Sequence, residues 1–230
     1  MTGFQRAHSD EQREIRRRAI LDAAAAMLTE MPVAQISLNE LSRRVGLAKS
    51  NVLRYFESRE AVLLELLAAA GRDWLAGLDD LLKAAVDAGA SPAARGDQVA
   101  AALADSLAVH PVLCELISAQ AAVLEHNVSP QAVAKYKRIG VAQVGAFARA
   151  LFRHLPELGE DGAGWFAGST IMVVGTVWIH SRPAAAVLAA YEADPALAVL
   201  RPVFTSMLRE TLEVLIAGVL ARGRSGQEEA

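Results

Sequence analysis

Apolar residues recur at helical spacing along nearly the whole chain. In the N-terminal quarter, Leu38, Leu41 and Val45 form a narrow stripe at i, i+3 and i+7, the spacing of one helix face. The β-branched run Ile171–Ile179 could form a strand. However, the apolar stretch around it is too long for one strand, and no partner strand is evident. The pattern therefore predicts an all-α protein.

Pro and Gly clusters interrupt this spacing and divide the chain into two regions. Residues 1–57 predict a three-helix head with a helix-turn-helix, of which residues 1–10 are expected to be disordered. Residues 58–222 predict a larger helical body, and residues 223–230 a frayed tail. Outside the helix-turn-helix, helices are expected near residues 10–30, 59–88, 97–109, 112–126, 130–155, 164–181, 183–191 and 196–221.

Two short helices joined by a tight turn are predicted at the end of the head. Ser37 precedes the first apolar stripe and Glu40 follows three residues later, so the two side chains can satisfy free N–H groups of the first turn. Gly46 stands where that helix must end with a positive φ. The second helix is expected over Lys49–Phe56.

The outward face of the second helix is polar and has side chains that suit DNA. Lysine and arginine neutralise phosphates, asparagine can bond adenine through two hydrogen bonds, and hydroxyl groups reach phosphates or base edges. A helix of this kind can lie in the major groove. The alternative is an ordinary helical hairpin with a solvated polar face. The residues are Lys49, Ser50, Asn51, Arg54 and Tyr55.

The stretch Leu41–Leu66 resembles the signature of the TetR family of bacterial transcriptional repressors. The resemblance implies a DNA-binding head on a body that binds a ligand and dimerises. Two positions depart from the family pattern: Ala48 stands where a capping Ser is usual, and Leu53 where Tyr is frequent. The matching elements are Gly46-Leu47, Lys49, Asn51, Tyr55-Phe56 and Arg59-Glu60, and the resemblance extends back to Ile15.

The resemblance and the chemistry of the polar face together predict the DNA-binding residues. Base readout is assigned to Ser50, Asn51 and Arg54. Ala48 is included with them, at the position where the family usually has Ser. Phosphate anchoring is assigned to Ser37, Lys49, Tyr55 and Arg59.

Composition and charge agree with a protein that meets nucleic acid at one end. Of the 230 residues, 53% are apolar and only 5% aromatic, and a chain rich in Ala and Leu favours helices. Residues 1–60 carry a net charge of +2 and the remainder −5. Because Cys114 is the single cysteine, a disulfide within the chain is impossible, and we expect a cytoplasmic protein.

One apolar stretch, Gly162–Ser181, holds 20 uncharged residues and is long enough to cross a membrane. Its Gly, Ser and Thr residues lower its hydrophobicity, and no basic cluster flanks it. The N-terminus also lacks the apolar segment of a secretory signal. A helix inside a large core or dimer interface is the better interpretation, so we expect no membrane association.

Two helices carry more apolar surface than one core needs, which predicts a homodimer. Each Gly inside a helix costs roughly 1 kcal/mol relative to Ala, and small residues let a second helix approach closely. The alternative is a monomer that buries both stripes internally. The predicted interface consists of Gly164, Gly168, Ile171, Gly175 and Trp178 on one helix and Phe204, Leu208, Thr211 and Leu215 on the other.

The family resemblance implies a small-molecule pocket within residues 60–190. Aromatic, thioether and hydroxyl groups on a neighbouring face of the 164–181 helix suit such a pocket, although ordinary core is the alternative for each residue. The predicted lining consists of Trp74, His110, Cys114, Phe147, Leu151, Trp165, Ser169, Met172 and Thr176.

Enzyme chemistry has little support in the sequence. His110 and Cys114 are four residues apart, but Pro111 lies between them and a third partner is not evident. They would supply two of the three or four ligands that zinc needs. Glycine-rich nucleotide motifs and the nucleophile motif Gly-x-Ser-x-Gly do not occur. We therefore expect no catalysis, cofactor or metal.

The sequence thus predicts a TetR-type regulator acting as a repressor. It would bind a palindromic operator in double-stranded DNA as a homodimer and be released by a small-molecule ligand. The alternative is a helical small-molecule-binding protein without sequence-specific DNA binding.

Overall fold

The computed structural model describes the backbone of residues 2–228 and the side chains of residues 11–199 and 201–223. Its regular elements are helices, and the described backbone contains no strand, so the all-α prediction is confirmed. The helices are α1 (Thr2–Glu30), α2 (Leu38–Val45), α3 (Lys49–Val52), α4 (Arg59–Ala85), α5 (Pro92–Ala108), α6 (Pro111–Ala119), α7 (Pro130–His154), α8 (Gly159–Ser181), α9 (Ala185–Ala193) and α10 (Phe204–Glu228).

Serine caps and prolines set where most helices of the body begin. Ser58, Ser91 and Ser129 each accept a hydrogen bond from the backbone N–H three residues later, at the starts of α4, α5 and α7. Pro111 begins α6, and the chain turns through 93° between α5 and α6, because proline cannot continue the preceding helix.

Helix α4 joins the head to the body. It packs against α1 on the head side and against α5, α6 and α7 in the body. Helix α8 packs against α6, α7 and α10, and α10 also covers α5. The segment Pro156–Ser181 is long and apolar enough to cross a membrane by length and composition alone. Its many helix contacts are those of a core helix instead.

The helices differ from the predicted ones mainly at their ends. α1 begins at Thr2, where residues 1–10 were expected to be disordered, and α10 continues through the predicted tail to Glu228. Residues 1, 229 and 230 lie outside the described backbone. Extending an existing helix adds one hydrogen bond for each residue ordered, which favours continuation of both helices beyond their predicted ends.

Candidate DNA-binding surface and ligand cavity

The first half of the helix-turn-helix has the local chemistry that its sequence predicted. The Ser37 hydroxyl oxygen accepts from the backbone N–H of Glu40 at 3.1 Å. Gly46 ends α2 in the left-handed region, with φ 71° and ψ 30°. The Glu40 carboxylate does not complete the reciprocal cap. It bonds Arg43 and also Arg44 instead, and the bond from Arg43 lowers the pKa of Glu40 most.

Helix α3 is shorter than predicted, but its hydrogen bonding extends past its last regular residue. Regular helix covers Lys49–Val52, and the N–H of Phe56 still donates to the carbonyl of Val52 at 3.1 Å. Val52 and Phe56 are buried, which fixes the helix on the head. Ala48 supplies no side-chain cap at the start of this helix.

The outward face of α3 leaves its polar groups available. Lys49, Ser50, Asn51 and Arg54 are exposed, whereas Tyr55 is half-buried. Within residues 11–199, neither Lys49 nor Arg54 forms an ion pair. Two uncommitted cations beside an amide and a hydroxyl form a surface that can hold phosphates and read base edges.

Arg59 is committed inside the protein rather than presented to solvent. Its guanidinium donates to the carbonyl of Ile36 at 2.7 Å and to Glu60 at 2.8 Å. Only 22% of its side chain is exposed. The predicted phosphate contact therefore does not fit this arrangement, because a neighbouring carboxylate and a carbonyl already satisfy the charge. Arg59 ties the start of α4 to the segment before α2.

Arg17 supports the recognition helix, and the sequence did not reveal this role. Its guanidinium lies 4.4 Å from the ring centroid of Phe56, donates to the carbonyl of Tyr55 at 2.7 Å and pairs with Glu65. These partners lie 38 and 48 residues from Arg17 in sequence. No local pattern distinguishes it from neighbouring arginines.

A second contact joins the end of the recognition segment to the body. The Glu57 carboxylate accepts from the backbone N–H of Ser129 at 2.7 Å. Ser129 is the capping residue of α7. The three-helix head is therefore bonded to α4 through Arg17 and to the start of α7 through Glu57.

The body contains a cavity of about 380 Å³ between these same helices. Trp74 and Phe147, both predicted to line a pocket, lie in its wall and meet edge to face at 5.1 Å. The Trp74 indole N–H is satisfied by the hydroxyl of Ser106 at 3.0 Å. The other lining residues are Leu67, Gly71, Leu75, Leu107, Leu113, Ile117, Gln120, Tyr136, Lys137, Gly140, Val141, Gln143, Val144 and Ile171.

Several predicted pocket residues are not part of this cavity's lining. His110 contacts the carbonyl of Ser106 through Nδ1 at 2.7 Å, and Cys114 and Leu151 are fully buried core residues. Burial raises the pKa of the Cys114 thiol to about 12. On α8, the remaining predicted lining residues, Trp165, Ser169, Met172 and Thr176, are also absent from the cavity wall.

The predicted pocket face of α8 lies outward, and part of its predicted dimer stripe lies inward. Trp165 and Met172, predicted for the pocket, are 52% and 69% exposed. On the predicted dimer stripe, Gly175 packs closely on α6, and the Trp178 indole N–H donates to Glu115 at 2.8 Å. Ile171, also predicted for the dimer, lines the cavity instead.

The α10 part of the predicted stripe also turns inward, while two glycines of α8 remain open. Leu208 is fully buried, and Phe204 meets Trp178 edge to face at 5.1 Å. Thr211 and Leu215 are half-buried. At the two remaining stripe residues, Gly164 and Gly168, no described atom beyond the adjacent backbone of α8 lies within 4 Å of the position that a Cβ would occupy.

Comparison with known proteins settles the family. The family model described as "Bacterial regulatory proteins, tetR family" matches residues 20–66. A second, described as "Tetracyclin repressor-like, C-terminal domain", matches residues 68–223. The chain belongs to the TetR family. It is therefore a transcriptional regulator with a DNA-binding domain, in a family of regulators rather than enzymes.

One relative matches a 59-residue stretch of the sequence, and two solved structures match most of the fold. The HTH-type transcriptional regulator EthR of Mycobacterium tuberculosis is 41% identical over 59 residues, which is 26% of each protein. The match thus spans about a quarter of that relative's length. The fatty acid degradation regulator FadR from Bacillus halodurans has a TM-score of 0.53 at 13% identity, covering 88% of this chain and 95% of that one. A TetR regulator from Rhodococcus sp. RHA1 has a TM-score of 0.51 at 16% identity, covering 88% and 96%.

Proposed function

We propose that the protein is a cytoplasmic repressor that binds a palindromic operator as a homodimer and leaves it when a small molecule binds. The observation that carries the proposal is the exposed polar face of α3, which follows the left-handed turn at Gly46. In the helix-turn-helix geometry this face lies in a major groove. Asn51 and Ser50 would read bases, and Lys49 and Arg54 would neutralise phosphates or contact guanine.

We assign the dimer interface to the outward faces of α8 and α10. Trp165, Met172 and Ile179 form an exposed apolar stripe on α8, and Met207 and Val214 form another on α10. Exposed apolar stripes of this kind mark interfaces between proteins. A two-fold dimer through these helices would present two recognition helices, and such dimers bind half-sites about 34–36 Å apart.

The position of the cavity supports control by a ligand. Helix α4 contributes to the cavity wall, and its Glu65 forms an ion pair with Arg17 of the head. Helix α7 also lines the cavity, and its capping residue Ser129 holds Glu57. A ligand that binds two arrangements of α4 and α7 with different affinity would shift the spacing of the two heads.

The experiment that tests the proposal is binding to the DNA immediately upstream of the protein's own gene, measured by fluorescence anisotropy over a salt series. We expect tight binding, with log K falling by about 0.9 per phosphate contacted for each unit of log salt concentration. Random duplex should bind far more weakly. Equal affinity for both duplexes at every salt concentration would refute operator recognition at this site, and a reporter under the same DNA separates repression from activation.

A further inference from the structure

We propose that the cavity selects a neutral, largely apolar molecule carrying one hydrogen-bond donor, such as a hydroxyl group, and that Gln143 receives that donor. The inference rests on the proposed ligand response and names the chemical class of its ligand. It follows from three features of the cavity: the fixed orientation of one amide, the neutralised charge at the wall, and the apolar character of the remaining lining.

The amide of Gln143 has one orientation. Its Nε2 donates to the backbone carbonyl of Ala68 at 2.7 Å. A carbonyl can only accept, so the reversed amide would place two acceptors against each other. Oε1 is therefore the free end, and it lies 2.9 Å from where a Cβ on Gly71 would stand. The missing side chain at Gly71 leaves the space that Gln143 occupies.

Gln143 Oε1 is an acceptor without a donor among the residues that the structure describes. The Tyr136 hydroxyl also lines the cavity and forms no hydrogen bond with the described residues. Two other polar groups of the wall have partners. The Trp74 indole N–H is bonded to Ser106, and the Gln120 amide donates to Glu125 at 2.9 Å. Oε1 remains accessible to solvent. A ligand in the cavity would cover it, and a donor on that ligand would replace the hydrogen bond that water supplies, so that the oxygen is not left unpaired.

The charge at the cavity wall disfavours an anionic ligand. Among the lining residues, Lys137 is the one with a formal charge, and its ammonium pairs with Glu125. A carboxylate entering the cavity would lose its hydration and find that cation already neutralised. Burying an ion without a partner is strongly unfavourable, so a neutral molecule is preferred.

The rest of the wall is apolar and limits the size of the ligand. Side chains such as Leu67, Ile117, Val144 and Phe147 surround the space. At about 380 Å³, the cavity lies near the lower end of the roughly 300–1,000 Å³ that is typical of ligand pockets. A single chain of about ten carbons or a small ring system is the appropriate scale.

The test uses three probes of matched chain length, 1-decanol, decyl methyl ether and decanoate, titrated into the full-length protein at pH 7.5 and followed by calorimetry. The ether keeps the apolar body of decanol but lacks its donor, and decanoate is ionised at this pH. We expect decanol to bind about 3- to 10-fold more tightly than the ether, the effect of one neutral hydrogen bond, and decanoate to bind most weakly.

Two variants assign the preference to a residue. Gln143→Leu should bind decanol and the ether equally while retaining affinity for the ether. The substitution removes the acceptor for the ligand, and the bond from Nε2 to the Ala68 carbonyl that is lost with it involves no ligand group. The matched control is Tyr136→Phe, which removes the hydroxyl of another lining residue and should keep the preference for decanol. If the Gln143→Leu protein still binds the ether, that binding also shows that the variant is folded.

The outcomes separate the inference from the proposed function. Tightest binding by decanoate would overturn the neutral class while leaving the cavity as a ligand site. A preference for decanol that survives in Gln143→Leu, or disappears in Tyr136→Phe, would overturn the role of Gln143. Failure of all three probes to bind the wild-type protein would remove both the inference and the proposed ligand response, without touching operator recognition.

Discussion

The DNA-binding head and the helical body place their functional residues in opposite ways. The head presents exposed polar side chains that are close in sequence, from Ser37 through Arg54. The body contains a partly open apolar cavity whose wall comes from α4, α5, α6, α7 and α8. A function that depends on neighbouring residues leaves a local sequence pattern. A function that depends on the meeting of five helices leaves almost none.

The largest expected effect tests whether the outward face of α8 is the dimer interface. Met172→Glu would bury one unpaired carboxylate from each subunit, because a two-fold interface repeats every change. Such a burial costs on the order of several kcal/mol. We therefore expect the association constant of the dimer to fall more than about 100-fold. The affinity for the operator should fall with it. Sedimentation velocity and anisotropy measure the two quantities.

Val109→Glu is the matched control for this substitution. Val109 is 74% exposed, close to the 69% of Met172, but it follows α5 rather than lying on the proposed interface. This variant should remain dimeric and bind the operator normally. A dimeric Met172→Glu protein with wild-type affinity would place the interface elsewhere and leave the exposed stripe of α8 without a function.

The orientation of α8 could not be predicted from the sequence. A helix that is apolar on all sides has no face that its periodicity can assign, so Gly164 and Gly175 looked alike. In the structure Gly175 packs on Ile117 while the Gly164 position is open. The difference depends on where α6 crosses α8. By contrast, the Ser37 cap and the Gly46 turn were predictable because each involves residues within one or two helical turns.

Long-range partners limited the prediction of the head as well. Arg17 looked like its neighbouring arginines, and Arg59 looked like a phosphate-binding cation, because the sequence does not show which arginines have partners inside the protein. Their acceptors, the carbonyls of Tyr55 and Ile36, lie 38 and 23 residues away. Backbone carbonyls carry no information about residue type, so no sequence pattern marks such partners.

A smaller effect distinguishes base readout from phosphate binding within the head. Asn51→Ala should weaken binding to the cognate operator by about 1–3 kcal/mol and leave binding to random duplex nearly unchanged, because only base contacts are lost. Lys49→Ala is the comparison. It should weaken binding to both duplexes by similar factors and reduce the salt slope by about one phosphate contact. Anisotropy on paired cognate and scrambled duplexes measures both variants.

The assignment to Asn51 depends on the difference between the two duplexes. If Asn51→Ala weakens cognate and random DNA by the same factor, the amide contacts the backbone and does not read bases. Ser50 and Arg54 would then be the remaining candidates for base readout on the exposed face of α3.

The smallest expected effect concerns Cys114, which the sequence assigned to the ligand pocket and the structure assigns to the core. The thiol is fully buried and donates to the carbonyl of Leu107 at 3.3 Å. Cys114→Ala should therefore cost about 1 kcal/mol of unfolding free energy and leave decanol affinity unchanged. Chemical denaturation and calorimetry measure these two quantities, and a change in decanol affinity would return Cys114 to the binding site.

The titration of the same thiol gives an independent measurement. Burial raises its pKa from the ordinary 9.0 to about 12, so iodoacetamide at pH 8 should label it only as fast as the protein opens. Above pH 9 the unfolded chain loses this proton while the folded chain keeps it. The unfolded state then binds fewer protons, and stability falls as pH rises from about 9 towards 12. Cys114→Ala should lack this part of the alkaline loss. Rapid labelling at pH 8 would instead mean that a path from solvent reaches the thiol in the folded protein.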